Sequence, residues 1–582
     1  MAQAKFTAAT CIAAACVVAP ALAQDNAPPV ASPVALAPVA TAPVPVASTP
    51  GSFVAAMAAI RAGRWDAANS EIAAMRDGEL AAFARSELYL AANSPRVEGA
   101  ALVSLLAMGT DLPQAAQLAR LATSRGITTL PSLPAQQRLI WAGGSPRRGN
   151  PRSVNGASVG NLARNIQERI VGDDPAGAEA LLTAAQARLS SDALTEYRYR
   201  VAWSYYIEND DNNARRVAAL AQMGSGPWLA QADWAYGLAS WRVGDCRAAM
   251  AGFRNVAGRA EESELEASGH FWFARAATAC AEPQEAQGAY RRAAALDETF
   301  YGQLAAEILG MPRAAGRNPG ADLGRLAALR NVRAARALVA IGETALADET
   351  LRHQARIGAP GDHAALLTLA SELNLPETQL YLAHNTPGGA RQATLARFPA
   401  PSWTPSTGWR VNPALVFAHT LQESQFRSRV VSPAGAVGLM QVRPGTAGDM
   451  GLRASGGRLT DPEVNLAMGQ NFIEYLRDGG VTGGQLPKVI AAYNAGLVPV
   501  ARWNNEVRDG GDPLLYIESL PYWETRAYVG TVLRNLWIYE QQLGSVSDTR
   551  ATLAQGQWPR VPAADVSPNR MAAARSLSGG NR

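Results

Sequence analysis

The sequence predicts an all-α protein in which a helical solenoid precedes a compact helical domain. Between Phe53 and about Leu309, apolar residues recur every three or four positions, which is the spacing of one face of an α-helix. Runs of Val, Ile and Thr, which are typical of strands, are scarce over the same stretch. With 582 residues, 48% of them hydrophobic, the chain is too long for one core, so several domains or a repeat array are expected.

The charge distribution excludes some classes of partner. The formal charge is +4 and comes almost entirely from Arg, because Lys occurs only at Lys5 and Lys488. These cations are interspersed with acids, so the sequence predicts no nucleic-acid partner. No apolar run after the amino terminus approaches the ~18 residues of a membrane span, so the chain is not expected to cross a membrane.

The first 50 residues are predicted to be a signal peptide followed by a tether. Lys5 precedes an apolar run from Cys11 to Pro20 and the small residues that end at Ala23, which is the pattern of a secretory signal peptide over residues 1–23. Residues 24–50 are mainly Ala, Pro and Val and predict an extended, disordered tether. We therefore expect export to a periplasm.

Residues 51–312 are predicted to form the solenoid. Their recurring pattern is an Ala-rich helix, a short turn with Gly, Asp or Asn, and a second helix. Ala249 and Phe253 in ASWRVGDCRAAMAGF recur as Ala286 and Tyr290 in RAATACAEPQEAQGAY, an offset of 37 residues. That offset is near the period of helical-hairpin repeats, so stacked hairpins are expected, with a surface available to cell-wall protein partners.

Cysteine and histidine usage favours a disulfide over a metal site. After removal of the signal, only Cys246 and Cys280 remain, and an even pair in an exported protein is typical of a disulfide. Two buried free thiols in neighbouring helices are the alternative. The five histidines are scattered and show no metal-binding spacing; they are His270, His353, His363, His384 and His419.

The rest of the chain divides at changes in composition. Residues 313–399 predict a second helical subdomain, and a Pro- and Gly-rich stretch then places the main boundary near Ala400. Residues 400–545 predict a compact helical domain. The Pro, Ser, Gly and Arg content of residues 546–582 predicts a disordered tail.

One carboxyl in the compact domain is placed for acid–base chemistry. In VNPALVFAHTLQESQF, Asn412 is a helix cap, Pro413 suits the first turn, and the helix should end near Glu423. Val416, His419 or Thr420, and Glu423 share a largely apolar stripe, so the carboxyl at its end is expected to be partly desolvated. Desolvation penalises the charged form and raises a carboxyl pKa, which would let Glu423 donate a proton near neutral pH.

Four short motifs surround this helix. They are Glu423-Ser424, the Gly-Leu-Met-Gln turn that ends at Gln441, the Ala-Tyr-Asn-Ala-Gly segment that ends at Gly496, and the Glu-Thr-Arg-Ala-Tyr-Val segment that starts at Glu524. In this order and combination the sequence resembles the catalytic domain of the soluble lytic transglycosylases, a lysozyme-like family, over residues 405–545. The upstream helices resemble the superhelical domain of that family in pattern only.

The resemblance implies roles for individual residues. Glu423 would be the general acid and then the general base, and Gly438 would let the backbone approach the glycan closely. The implied substrate-binding residues are Ser432, Met440, Gln441, Tyr493, Asn494 and Glu524.

Some of these roles have structural alternatives. Ser432 could simply form the turn before Pro433, and Glu524 could pair with Arg526. Glu518 is a lower-ranked acidic candidate. Arg443 stands where the family commonly carries an apolar residue, which leaves subsite detail open. Several aromatic residues could stack on sugars or belong to the core, and none is assigned; they are Trp503, Tyr516, Tyr522, Trp523 and Trp537.

The reaction that the resemblance implies is non-hydrolytic cleavage of the MurNAc–GlcNAc β-1,4 bond of peptidoglycan, giving 1,6-anhydro-MurNAc ends. It needs no metal or nucleotide. No second acid accompanies Glu423 in its helix or the following loop, which fits an intramolecular attack by the C6 hydroxyl of the sugar. The alternatives are a hydrolytic muramidase of the same fold and a non-catalytic scaffold that only recognises glycan.

Overall fold

A computed structural model describes residues 52–76, 78–154, 159–311, 321–451 and 456–564. The predicted signal peptide and the predicted tether lie outside these residues. Twenty-six α-helices occur in the described ranges, and none of them is long and apolar enough to cross a membrane. The mainly helical fold class is therefore confirmed.

The helices in the amino-terminal half are α1 Phe53–Arg61, α2 Trp65–Ala74, α3 Gly78–Leu90, α4 Gly99–Met108, α5 Ala115–Ser124, α6 Gly160–Val171, α7 Pro175–Ala185, α8 Ser191–Ile207, α9 Asp211–Gln222, α10 Leu229–Arg242, α11 Cys246–Arg259, α12 Ser263–Ala279, α13 Pro283–Ala294 and α14 Phe300–Ile308. Those in the carboxy-terminal half are α15 Arg330–Ala340, α16 Thr344–Ile357, α17 His363–Glu372, α18 Pro376–His384, α19 Pro413–Glu423, α20 Pro444–Asp449, α21 Pro462–Asp478, α22 Leu486–Ala495, α23 Leu497–Glu506, α24 Pro513–Glu518, α25 Trp523–Gln542 and α26 Asp548–Ala554. Short 3-10 turns occupy Gln186–Arg188, Gly324–Leu326, Pro360–Asp362, Thr394–Arg397 and Gly456–Thr460.

The chain forms two compact units, and the division differs from the predicted one. One unit combines the described parts of residues 52–143 and 321–402, so α1–α5 share a hydrophobic core with α15–α18. Within this unit, strand β1 (Leu139–Trp141) pairs antiparallel with β2 (Asn385–Pro387). The prediction of one solenoid over 51–312 and a separate subdomain over 313–399 is wrong. Helical periodicity marks the apolar face of each helix, but it does not say which distant helix covers that face.

The other unit contains α6–α14 and, in the same compact body, α19–α26. In its first part, successive helices pack as antiparallel hairpins, including α10–α11 and α12–α13, the two that the 37-residue offset indicated. Small residues let these helices approach: a Cβ on Gly237 of α10 would lie 2.6 Å from the Phe253 ring of α11. Phe253 in turn packs on Trp234 and Trp272, so aromatic rings fill the space between hairpins.

A disulfide joins these two hairpins. Cys246 is the first residue of α11, Cys280 follows the last residue of α12, and their Cα atoms are 5.6 Å apart. The bond predicted from the sequence is present in the structure.

The predicted tail is partly folded. Residues 546–564 are not disordered, because α26 packs on α14 and Arg550 Nε donates to Glu307 Oε2 at 2.6 Å. Leu553 is fully buried, and Ala563 forms a β-bridge with Val411. Composition missed this because a short helix with one buried leucine carries little apolar signal. Residues 565–582 lie outside the described part of the chain.

Glu518 anchors the solenoid helices to the carboxy-terminal domain. Its buried carboxylate accepts hydrogen bonds from Arg148 Nη1 at 2.6 Å and from the Tyr301 hydroxyl at 2.7 Å. Removing one member of such a buried pair leaves an uncompensated charge, so the contact holds the two parts of this unit in one arrangement.

Breaking the disulfide should destabilise the solenoid. The bond closes a loop between residues 34 positions apart, and the chain-entropy description puts its contribution at about 3–4 kcal/mol. We expect the double variant Cys246→Ser/Cys280→Ser to lose about that free energy of unfolding in denaturant titrations. A reducing agent should lower the stability of the wild type to the same level and leave the double variant unchanged.

Candidate active site

Glu423 lies at the carboxy-terminal end of α19. The helix starts where predicted, because the Asn412 side chain accepts a hydrogen bond from the Ala414 N–H and Pro413 occupies the first turn. Val416 and Thr420, on the same stripe as Glu423, are fully buried against α25. The Glu423 side chain itself is only partly covered, so it sits at a boundary between the core and solvent.

Two buried side chains form a hydrogen-bonded chain behind this carboxyl. The Tyr528 hydroxyl donates to Glu423 Oε1 at 2.5 Å, and His419 Nδ1 lies 2.8 Å from the same hydroxyl. Tyr528 has one hydroxyl hydrogen and gives it to Glu423, so His419 must carry its proton on Nδ1 and donate to the Tyr528 oxygen. Burial lowers the pKa of His419 to about 3, so its ring is neutral.

Burial dominates the titration of Glu423. Loss of solvation raises the pKa of its carboxyl from 4.5 to about 7. The Tyr528 hydrogen bond favours the charged form and opposes that rise, whereas the nearby Glu524 carboxyl adds to it. At neutral pH a substantial fraction of the Glu423 carboxyl is therefore protonated.

Tyr493 lies next to this chain of hydrogen bonds. Its ring centroid is 4.4 Å from that of His419, and its hydroxyl donates to the Met440 carbonyl at 2.8 Å. Burial, together with the charge of Glu423, raises the Tyr493 pKa well above its ordinary value. Helix α22 ends where predicted, because Gly496 has φ +86°. The neighbouring Asn494 accepts a hydrogen bond from the Thr525 hydroxyl at 2.7 Å, so α22 is tied to α25.

The Gly-Leu-Met-Gln turn supports the site from behind, which corrects two predictions. Met440 is fully buried, its sulfur fills the space beside Gly469, and its side chain does not line a groove. Gly438, with φ +75°, is needed because a Cβ there would lie 2.4 Å from the Leu459 carbonyl, so the close approach is to the protein's own backbone. The residue types at positions 438 and 440 are therefore explained by close packing within the protein.

Gln441 and the two serines hold the loop around this turn. Gln441 has φ +49°, and its side-chain amide donates to the Gly438 carbonyl at 2.8 Å. The Ser424 hydroxyl donates to the Leu439 carbonyl at 2.7 Å. The Ser432 hydroxyl oxygen accepts from the Ala436 N–H at 3.0 Å, which favours its interpretation as a turn former; the hydrogen-bond partner of the Glu423 carboxyl is Tyr528 instead.

Of the two further acidic candidates, Glu524 lies near Glu423 and Glu518 does not contact it. Glu524 lies close enough to raise the Glu423 pKa, and its Oε1 is buried without a hydrogen-bond partner among the described residues. The alternative pairing with Arg526 is not formed, because Arg526 donates to the Glu518 carbonyl and stacks on Trp203. Glu518 is occupied by Arg148 and Tyr301, away from Glu423.

The aromatic residues that the sequence left open fall into two groups. Trp503, Tyr516 and Trp537 are buried in the core, whereas Trp523 is 56% exposed and Tyr522 is 39% exposed. Arg443, the residue that departs from the family pattern, is exposed just before α20.

Sequence reasoning missed three polar residues that build the site. Tyr528 was read only as part of a motif, and His419 only as a member of the buried stripe. Asn465 is fully buried, accepts from the Met440 N–H at 2.8 Å and donates to the Val437 and Leu459 carbonyls, so it holds the turn. The position of Tyr528 one helical turn after Glu524 was the one available signal, because i and i+4 share a helix face.

The fold and the site together define a protein with stacked helical hairpins and a lysozyme-like helical domain that carries a partly protonated glutamate. Residues 404–514 match the family Transglycosylase SLT domain. The soluble lytic murein transglycosylase of Escherichia coli strain K12 is 32% identical over 161 residues, which are 27% of this chain and 24% of that relative. The matched region thus spans about a quarter of the relative's length.

Two solved structures share the fold over most of the chain. The 70 kDa soluble lytic transglycosylase of Escherichia coli has a TM-score of 0.54 and 17% identity, over 88% of this chain and 98% of that one. An inactive Glu→Gln variant of the lytic transglycosylase Slt from Pseudomonas aeruginosa has a TM-score of 0.51 and 21% identity, over 84% of this chain and 86% of that one. At these identities the likeness shows a shared fold, and the sequence match to the Transglycosylase SLT domain is confined to residues 404–514.

Neutralising Glu423 should stabilise the fold at alkaline pH. A carboxyl whose pKa is about 7 when folded and 4.5 when unfolded binds more protons in the folded state, so stability falls as pH rises from about 4.5 to 7. We expect Glu423→Gln to be more stable than wild type at pH 8 by about 1–2 kcal/mol, after allowing for the solvent that reaches the side chain. The difference should shrink towards pH 5.

The control for this measurement is Glu463→Gln, which removes the same charge from an exposed position at the start of α21. Denaturant titrations of all three proteins at pH 5 and pH 8 supply the comparison. Equal stabilities of Glu423→Gln and wild type at pH 8 would contradict a desolvated carboxyl.

Proposed function

We propose that the protein cleaves the β-1,4 bond between MurNAc and GlcNAc in peptidoglycan without consuming water. The observation that carries this proposal is the Glu423 carboxyl, which burial keeps partly protonated near pH 7 while part of its side chain remains accessible. The names of the similar proteins support the substrate class, and the Glu→Gln variant of one of them is inactive.

In the proposed first step, the Glu423 carboxyl donates its proton to the oxygen that links MurNAc C1 to GlcNAc. The C1–oxygen bond breaks, GlcNAc leaves with a free hydroxyl, and the acetamido oxygen of MurNAc bonds to C1. The negative charge left on Glu423 receives the Tyr528 hydrogen bond, which is strongest to an ionised acceptor.

In the second step, the same residue acts as a base. The C6 hydroxyl of MurNAc gives its proton to the Glu423 carboxylate and attacks C1, and the bond from C1 to the acetamido oxygen breaks. Because nucleophile and electrophile belong to one sugar, proximity replaces the activation of a water molecule. The product is a 1,6-anhydro-MurNAc end, and Glu423 is again protonated.

We assign the remaining site residues supporting roles in this reaction. Tyr493 and Asn494 would contact the sugars from α22, and Gln441 and Glu524 from the facing loop and helix. Ser432 accepts from the Ala436 N–H, and its hydroxyl hydrogen would be available to donate to the acetamido oxygen. Export to the periplasm and protein partners on the solenoid stay predictions.

The decisive test is the release of soluble fragments from purified sacculi. We expect Glu423→Gln to lose about 10²–10⁴-fold in rate, the usual contribution of a general acid–base group, whereas Glu463→Gln keeps the wild-type rate. Mass spectrometry should find product ends that are lighter by one water than reducing ends. Reducing ends would select the hydrolytic muramidase, and equal release by wild type and Glu423→Gln would select the non-catalytic scaffold.

The pH profile tests the hydrogen bond behind the acid. Because the first step needs a protonated Glu423, kcat/KM should fall as pH rises through about 7. Tyr528→Phe removes a hydrogen bond that favours the carboxylate, so the Glu423 pKa should rise and the alkaline limb should move up by about one pH unit. A limb that stays in place or moves down would contradict this arrangement.

Tyr516→Phe is the matched control for that experiment. Tyr516 is a buried tyrosine of the same domain whose hydroxyl has no hydrogen-bond partner among the described residues. Its removal should leave both the alkaline limb and the rate at their wild-type values, which separates the specific effect of Tyr528 from the loss of any buried hydroxyl.

A further inference from the structure

A small cavity lies beside the first turns of α25, within the same compact unit as Glu423. Its walls come from the first turns of α25, from α8, α10 and α12, and from the loop before α6, and its volume is about 30 Å³. The lining residues that matter for its chemistry are Arg148, Gln231, Trp234, Trp523, Arg526 and Ala527. A volume of this size holds about two oxygen atoms, so it accommodates a head group rather than a sugar ring.

The cavity carries excess positive charge. Arg526 is 9% exposed; it donates to the Glu518 carbonyl at 3.2 Å and lies over the face of Trp203 at 4.1 Å, and no carboxylate forms an ion pair with it among the described residues. Arg148 already forms an ion pair with the Glu518 carboxylate. Burial lowers the pKa of Arg526 to about 10, which still leaves it protonated. A buried cation without a counter-charge is costly, and an anion would relieve that cost.

Two buried polar atoms in the wall also lack partners. Trp234 Nε1, a donor, and Gln231 Oε1, an acceptor, form no hydrogen bond within the described part of the chain. Both side chains are more than nine-tenths buried. Such groups are normally satisfied, so the wall is suited to a ligand that offers both an acceptor and a donor.

The amino terminus of α25 adds to this preference for an anion. The helix has 20 residues, and the side chain at its start, Tyr522, forms no capping hydrogen bond. Its first-turn N–H groups and helix dipole therefore favour negative charge beside Trp523. Glu524 and Tyr528 lie on the face of α25 towards Glu423, so the cavity is chemically separate from the acid.

We propose that this cavity binds the free carboxy terminus of a short peptide. The carboxylate would pair with Arg526 and accept from Trp234 Nε1, and the last peptide N–H would donate to Gln231 Oε1. The exposed Trp523 ring would cover the residue that follows out of the cavity. The peptide could be free or attached to a glycan, and both share this chemistry. The site does not depend on the proposed glycan cleavage.

Binding is measured by titration calorimetry on the full chain carrying Glu423→Gln, so that no ligand is consumed. N-acetyl-alanyl-alanine should bind saturably, whereas its carboxy-terminal amide and inorganic phosphate should bind at least about 10-fold more weakly, because a hydrogen bond to a charged group is lost or the N–H donor is missing. Peptide-bearing and peptide-free glycan fragments form a second pair, and tighter binding of the peptide-bearing one identifies an attached peptide as a source.

Three substitutions locate the site. Arg526→Gln removes the cation, Ala527→Met fills the cavity without changing its charge, and Trp523→Ala removes the exposed cover. The first two should weaken binding of the acetylated dipeptide by about 10-fold or more, and the third by several-fold. Ala527→Met tests the site even if the buried Arg526 proves necessary for folding.

The matched control is Trp141→Ala, which removes a tryptophan of similar exposure, 60% against 56% for Trp523, from the other compact unit. It should leave dipeptide binding unchanged. The proposal is overturned if the acid and the amide bind equally, if phosphate binds as tightly as the dipeptide, if no saturable binding occurs, or if Ala527→Met binds like wild type. None of these outcomes bears on whether Glu423 cleaves glycan.

Discussion

The rest of the site depends on the packing of α19 against α25. This contact places the Glu423 carboxyl between an apolar helix face and solvent, and it brings Tyr528 within 2.5 Å of one carboxyl oxygen. Without α25, the end of α19 would be hydrated and its carboxyl would titrate near 4.5, because desolvation is the main cause of the raised pKa. An acid that is available at neutral pH is thus a consequence of helix packing.

Helix α25 also joins the site to the solenoid. Its face towards α19 carries Glu524 and Tyr528, whereas Arg526 stacks on Trp203 of α8. The anchor at Glu518 and the ion pair between Arg550 and Glu307 hold the same junction. Several buried charged groups form this junction, although apolar side chains could also fill it. Buried ion pairs contribute little net stability. Their value lies in fixing one arrangement of α25 relative to the hairpins.

The residues of the motifs that carry the family resemblance fall into two groups: some lie at the Glu423 carboxyl, and others only pack beneath it. Glu524 adds to the rise in the Glu423 pKa, and Tyr493 and Asn494 lie on the neighbouring helix α22. Gly438 and Met440, by contrast, support the site through packing, because one avoids the Leu459 carbonyl and the other fills the space at Gly469. A residue that belongs to a catalytic motif is therefore not always one that can touch a substrate.

The sequence by itself determined the helical class, the two hairpins around Cys246 and Cys280, the limits of α19, and the partly desolvated position of Glu423, because capping and periodicity are local properties of the chain. Tertiary structure decided which helices share a core, that residues 546–564 fold, that Met440 is buried, and that His419, Tyr528 and Glu423 form one hydrogen-bonded chain. Most of these features join residues that are far apart in the sequence; His419 and Tyr528, for example, are 109 positions apart. Local patterns mark an apolar or polar face without identifying the distant residue that meets it.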